Sequence, residues 1–450
     1  MAAIAFNKRF TRLAVGIAFL IGVFLFSVRT LVEEHTVKHY SDKIQSYTND
    51  MLTSSRSTIK QAFTPMTVDE IMVKLKFQKG IYAPGTTKDQ IVSDEMSFHE
   101  QVLKKKIDEP KGMILRHKEF NDDTYKLANA TLLSLVRNKE LDGILHAITQ
   151  IEKNWNQRYH YPMTFINEEE FTEEFKSKVA AAWSGPVYFE LIPPEIWNKP
   201  SNINPAKEKK GIERLTSMGV QYAGMDSYHN MCRFNSGWFY RLEGLKKFKY
   251  YWRVEPDVDF FCRVDYDLFR FMEDNELTYG FTISLYDSPW TIETLWPTTL
   301  KFISENPQYV HPNGAFKWLT ENQQNPENTK NAQGYSTCHF WSNFEIGDMD
   351  FYRGEAYSKW FDSLEDAGGF YYERWGDAPV HSVGLGLFED KSKIWWFRDI
   401  GYHHSPYVNS PNSDKCDDKP GYFAPEDVYD QNCLPNWIKF EMTVEQLERY

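Results

Sequence analysis

Apolar and polar positions switch between two periods along the C-terminal two thirds of the chain. Thr131 to Val136 (TLLSLV) is an apolar run of strand length that ends at Arg137-Asn138. Glu140 to Trp155 then places Leu141, Ile144, Leu145, Ile148 and Ile151 at helical spacing, and Met163 to Ile166 returns to an apolar strand run. A strand, a helix and a second strand in close succession predict a parallel pair with a right-handed crossover. Further strands are expected at Phe248 to Val254 and Tyr279 to Leu285. Helices are expected at Ile292 to Ile303, at Glu355 to Leu364 closed by Gly368-Gly369, and at Val380 to Phe388. The alternation defines an α/β class.

The N-terminal third reads differently. Lys8, Arg9 and Arg12 precede an uncharged run, Leu13 to Val28, which Leu31 and Val32 extend if Arg29 snorkels to the interface. A cleaved signal peptide is the rival, but no small-x-small cleavage site follows. The reading is a retained signal anchor at 13–32, with a cytosolic tail at 1–12 and the remainder lumenal, as in a type II membrane protein. Residues 33–123 are charged and broken by Pro65, Pro84, Gly85 and Pro110 without long apolar periodicity, which predicts a stem. Residues 124–450 lack linker-like composition and are expected to form one large catalytic domain with insertions.

Charge and cysteine content narrow the classes. A net charge of -12 with no basic stripe excludes a nucleic-acid partner. Five cysteines suit an oxidising lumen, and none has C-x-x-C spacing. Cys416 and Cys433 flank a polar, Pro/Gly-containing loop and are the disulfide candidate; Cys232, Cys262 and Cys338 then leave one thiol free. Asn129-Ala130-Thr131 is a glycosylation sequon that abuts a predicted buried strand.

The strand Phe248 to Val254 delivers Glu255 at its carboxyl end, where ligands bind in open α/β sheets. If the chain stays extended, Asp257 lies on the same side, and two hard oxygen ligands suit Mg²⁺ or Mn²⁺. D-x-D is uninformative alone, since it also occurs at Asp265/Asp267 and Asp348/Asp350. No glycine-rich phosphate loop follows the first strand, which leaves a metal ion to clamp any diphosphate. Glu345 sits between Phe344 and Ile346, either as a structural acid paired to a cation or as a functional one with raised pKa. Asp377 precedes a helical run and has helix capping as its default role. His403-His404 can be surface loop residues or supply a metal ligand. Aromatic residues make up 16% of the chain and cluster in these same segments, either as core or as flat faces for sugars.

Six ordered segments, LVRN, YHNMCRFNSGWFY, YYWRVEPDVDFFC, CHFWSNFEIGDMDF, GGFYYERWGDAPVHS and DIGYHHSPY, resemble the fungal Golgi α-1,2-mannosyltransferases, glycosyltransferase family fifteen. The resemblance runs from about Ala128 to Tyr407. It implies a GT-A-like nucleotide-diphosphosugar fold, GDP-mannose as donor, Mn²⁺ as cofactor, and retaining transfer to the 2-hydroxyl of an α-mannoside acceptor on glycoprotein glycans. The E-P-x-V motif gives Glu255 the metal-ligand role and leaves Asp257 at a variable position. His404 is the matching histidine ligand, and Glu345 matches the proposed nucleophile. Asp377 and Tyr228 match positions tied to substrate binding and activity. Arg137, at the end of the first strand, meets the nucleotide; with Tyr228, Asp257 and Arg374 it completes the candidates for donor or substrate contact. Two rival readings are a catalytically silent lumenal mannan-binding or scaffold protein of the same fold, and a transferase with another donor.

Overall fold

The computed structural model describes residues 65–76, 80–120, 122–416 and 419–450. The expected tail, the expected anchor and the first part of the expected stem lie outside the described residues. Among the described residues no helix is long and apolar enough to cross a membrane.

A seven-stranded sheet forms the centre. It is built from β1 (Ala130–Leu135), β2 (Met163–Asn167), β3 (Val187–Leu191), β4 (Tyr250–Arg253), β6 (Tyr279–Phe281), β9 (Glu345–Asp348) and β10 (Ile394–Trp396), in the order β10-β6-β9-β4-β1-β2-β3. β1 pairs in parallel with β2 and β4, β2 with β3, and β10 with β6. The crossover predicted between β1 and β2 is a helix, Leu141–Ile151, which buries Ile144, Ile148 and Ile151 on one face. β9 alone runs antiparallel, between β4 and β6. That reversal decides where the chemistry falls. The first residue of β9, Glu345, lies opposite Arg253 at the end of β4 and Phe281 at the end of β6. A residue that begins a strand thus shares an edge with residues that end one.

A second sheet, ordered β12-β11-β5, joins β5 (Asp259–Phe260), β11 (Tyr402–His404) and β12 (Tyr407–Asn409). Because β5 follows Glu255 closely and β11 pairs with it, the two histidines arrive beside the end of β4. The apolar run Tyr279 to Leu285 is not one strand. It leaves the main sheet after Phe281, and β7 (Ser284–Tyr286) pairs with β8 (Cys338–Phe340) in a separate ribbon. A uniformly apolar run carries no mark of a change of sheet.

The expected stem boundary is displaced. From Pro65 onward the chain belongs to the same compact unit as the rest of the domain. Helix Val68–Leu75, closed by a Thr67/Glu70 capping box, buries Ile71 and Leu75, and helix Lys88–Leu103 buries Ile91, Val102 and Leu103. Ile107 donates its backbone amide to Asn412 (2.9 Å), tying this segment to the C-terminal region. Each helix contributes only a few apolar anchors, too few to show as a long periodicity.

The Cys416–Cys433 pairing is corrected. Cys262 bonds Cys416 and Cys338 bonds Cys433, while Cys232 is buried and free. The two ends of the polar loop attach to different parts of the fold. Cys416 meets Cys262 across an antiparallel bridge, whereas Cys433 donates its amide to Ser284 on β7, next to Cys338 on β8. Non-reducing peptide mapping should therefore yield 262–416 and 338–433 cross-links. Cys433→Ser should destabilise the domain by about 2–5 kcal/mol. A 416–433 peptide would contradict the structure.

Candidate active site

Arg253, the last residue of β4, organises the site. It points from an aromatic strand into a buried environment, and a buried guanidinium has to be neutralised and hydrogen-bonded. Its Nη2 donates to Glu255 Oε1 and its Nη1 to Asp377 Oδ2, both at 2.5 Å. Asp377 Oδ2 also accepts from Ser342 Oγ (2.7 Å). Two carboxylates more than a hundred residues apart thus share one cation. Asp377 is the first residue of the helix Asp377–Phe388 and not its cap, which is Gly376. Its negative charge lies where the helix dipole favours it, but its bonded partner is Arg253.

Glu255 retains 27% side-chain exposure, and its second oxygen lies 3.7 Å from His404 Nε2. Burial works against its ionisation, but Arg253 and His404 outweigh it and hold the carboxyl at about 2. His404 is raised: burial opposes the charged ring, and Glu255 more than compensates. The edge-on indole of Trp341, at 4.7 Å, fixes the imidazole. A carboxylate oxygen and an imidazole nitrogen this close form a donor pair that suits Mn²⁺. Among the described residues no group of three or more His, Cys, Asp or Glu is placed to hold a metal ion, so Glu255 and His404 alone are not a complete site.

The neighbouring histidine is turned elsewhere. His403 Nδ1 bonds Asp259 Oδ2 (2.8 Å), and His146 bonds the other Asp259 oxygen (2.7 Å). Side chains alternate along β11, so only one of the two histidines can face Glu255. Asp257 also departs from the expected arrangement. Its φ of 59° ends the extended backbone after Glu255 and sends the side chain over Gly143, where a Cβ would come within 2.6 Å of Oδ1. Asp257 does not join Glu255.

A cavity of about 190 Å³ is lined by Arg137, Glu140, Tyr228, Asn235, Arg253 and Glu255, among others. Arg137 is held by an ion pair to Glu140. Tyr228 lies under the Arg374 guanidinium, 5.2 Å from ring to Cζ, and stacks on the exposed Tyr222 at 4.8 Å. Its hydroxyl is pushed far above the usual range by Cys232 beside it and by burial. Among the described residues Arg374 Nε and Asn235 Nδ2 are buried with no hydrogen-bond partner, and Asn235 lines this cavity.

Glu345 is 1% exposed. Its Oε2 accepts from the Tyr279 hydroxyl (3.0 Å) and lies 2.9 Å from His381 Nδ1. It lines a void of about 10 Å³ whose walls include Leu135, Asn235 and Arg253, residues that also line the larger cavity. Arg253, Asn235, Ser342, Tyr279 and His381 were not singled out from the sequence. The one available signal was Arg253 itself, a charge inside the apolar run YYWRV that a buried strand can carry only with acidic partners.

The α/β sheet, the acidic edge and the adjoining cavity define a GT-A-like nucleotide-sugar transferase. The sequence model of the family described as glycolipid 2-alpha-mannosyltransferase matches residues 86–442. The probable mannosyltransferase KTR4 of Saccharomyces cerevisiae is 46% identical over 395 residues, covering 85% of this chain and 84% of that protein. The O-glycoside alpha-1,2-mannosyltransferase omh1 of Schizosaccharomyces pombe is 42% identical, covering 70% and 80%. The crystal structure of S. cerevisiae Ktr4p in complex with GDP superposes with a TM-score of 0.81 at 46% identity, covering 85% of this chain and 99% of that one. Core-mannan synthase A of Aspergillus fumigatus, in its Mn/GDP form, gives 0.73 at 50% identity over 75% and 93%. The chain belongs to the glycolipid 2-alpha-mannosyltransferase family and is an enzyme of that class.

Proposed function

We propose that the protein transfers mannose from GDP-mannose to the 2-hydroxyl of an α-mannoside on glycoprotein glycans, with retention of configuration and dependence on Mn²⁺. The observation that carries this reading is the shared edge at which Arg253 bridges Glu255 and Asp377 while Glu345 begins the reversed strand beside them. The relatives add a GDP complex of Ktr4p and a Mn/GDP form of core-mannan synthase A.

Glu255 and His404 would hold the cation, which when bound would neutralise charge on the departing diphosphate. Arg137, Tyr228 and Arg374 contact the donor, with Asn235 Nδ2, unpaired among the described residues, available to its oxygens from the cavity wall. Arg253 keeps Glu255 ionised and aimed, and Asp377 with Ser342 keeps Arg253 in place. Glu345 opposes the positive charge that develops at the anomeric carbon, as a nucleophile or as an electrostatic stabiliser. Asp257 has no part in this arrangement. The basic N-terminus followed by Leu13 to Val28 supports a signal anchor, a type II topology and a catalytic domain in the Golgi lumen.

Glu255→Ala tests the metal assignment. The variant should lose metal-dependent transfer by at least ~100-fold, and its GDP affinity should no longer rise when Mn²⁺ is added. Turnover that still responds to Mn²⁺ would remove Glu255 from the site.

A further inference from the structure

The carboxylate of Glu345 is held by one oxygen only. Oε2 receives Tyr279 and His381, while no hydrogen bond among the described residues reaches Oε1. On the other side of the imidazole, His381 Nε2 lies 2.8 Å from the Asn235 carbonyl. A carbonyl can only accept, so Nε2 carries a hydrogen. The 2.9 Å contact on the Nδ1 side then needs a second proton, on the ring or on the acid. The ring is completely buried, packed edge or tilted against Phe239, Tyr352 and Tyr357. It has no freedom to exchange these partners for water.

We propose that His381 is a positioning residue that, as an imidazolium, grips Glu345 Oε2 together with Tyr279 and so presents Oε1, ionised and fixed, to the anomeric carbon of the donor. The inference rests on the assignment of Glu345 as the acid facing the developing charge. Asn235 is part of the same device, because its carbonyl fixes the ring while its side chain lines the donor cavity. The groups that face this pair from the surrounding elements agree with the assignment. Tyr279, Tyr352 and Tyr357 are pushed far above their usual range by burial and stay neutral. Asp377, one turn earlier on the same helix, adds negative field to the ring, and Arg253 from β4, the register partner of Glu345, adds positive field at the carboxylate. Burial lowers the affinity of His381 for its second proton, but Glu345 and then Asp377 outweigh it and the ring is raised above 6.5. The imidazolium is therefore complete below the ordinary histidine range and is lost only as pH rises through the raised value.

The test uses the full-length chain in detergent, comparing wild type with His381→Asn and Glu345→Gln. Asn keeps a neutral donor near Oε2 and removes the charge. Wild-type kcat should fall on the alkaline side as His381 deprotonates. His381→Asn should lower kcat by roughly 10–100-fold, leave KM for GDP-mannose and GDP affinity within about twofold, and abolish that alkaline fall. A variant with kcat within about threefold of wild type, or one that loses GDP affinity in step with kcat and keeps the alkaline fall, would overturn the inference. So would a wild-type kcat that climbs through the same pH range, a result that needs no variant to fold. An active Glu345→Gln sinks the assignment of Glu345 itself, whereas an inactive one beside an unaffected His381→Asn sinks only the role of His381.

Discussion

Glu345→Gln should reduce kcat by at least about three orders of magnitude while leaving the affinities for GDP and Mn²⁺ within about twofold. The substitution is almost isosteric, and the side chain touches none of the groups assigned to the cation or the nucleotide. The amide can still accept from Tyr279 through its oxygen, so the strand pairing with β4 and β6 has no reason to move. What disappears is the negative charge. In a buried site an ion facing a developing cation is worth several kcal/mol, because little water is present to screen it. Loss of kcat without loss of binding separates this role from a structural one. Parallel loss of GDP binding and thermal stability would mean that Glu345 serves the fold and not the reaction.

The pairing of Glu255 with His404 was more legible in the sequence than the wiring around it. Glu255 and His404 are placed by local rules, since β4 ends two residues before Glu255 and a short strand pair carries His404 to it. The failures share a cause. Asp257 was expected beside Glu255 on the assumption of continued extension, and one left-handed residue cancels period-two alternation. The cysteine pairing was inferred from nearness in sequence, but one end of that loop is fastened to Cys262 after β5 and the other to the β7–β8 ribbon. His381 reads only as one residue of an apolar helix because its partners come from β9 and the helix Asp226–Gly237, and no short window contains both. Pair contacts between distant segments are set by topology, and periodicity does not encode them. The segment from Pro65 to Asp123 was misjudged for a related reason, because its few anchors become apolar surface only once the domain is there to receive them.

Arg253→Met should be the most destabilising single change at the site, by about 3–5 kcal/mol, and should abolish activity as well. Methionine fills similar space, so the loss comes from charge and not from a cavity. Asp377 and Glu255 are left as two carboxylates near one another without the cation that both now bond. The pH dependence distinguishes this cause from a packing defect. In the wild type Glu255 is held at about 2, below its ordinary 4.5, so its contribution to stability is complete above the unfolded value and is lost as pH falls toward 2. Without Arg253 the two carboxylates face one another unpaired, and Glu255 loses the cation that holds its carboxyl down against burial. The stability gap between variant and wild type should then be widest near neutral pH and shrink steadily as pH drops through the carboxylate range, a trend that thermal melts at pH 7, 5 and 4 would show. A gap independent of pH would point to packing. The double variant Arg253→Met/Asp377→Leu should recover part of the lost stability, because an apolar pair can replace a buried ion pair at little cost. It should recover none of the activity, since Glu255 would still lack the guanidinium that bonds it and keeps it ionised.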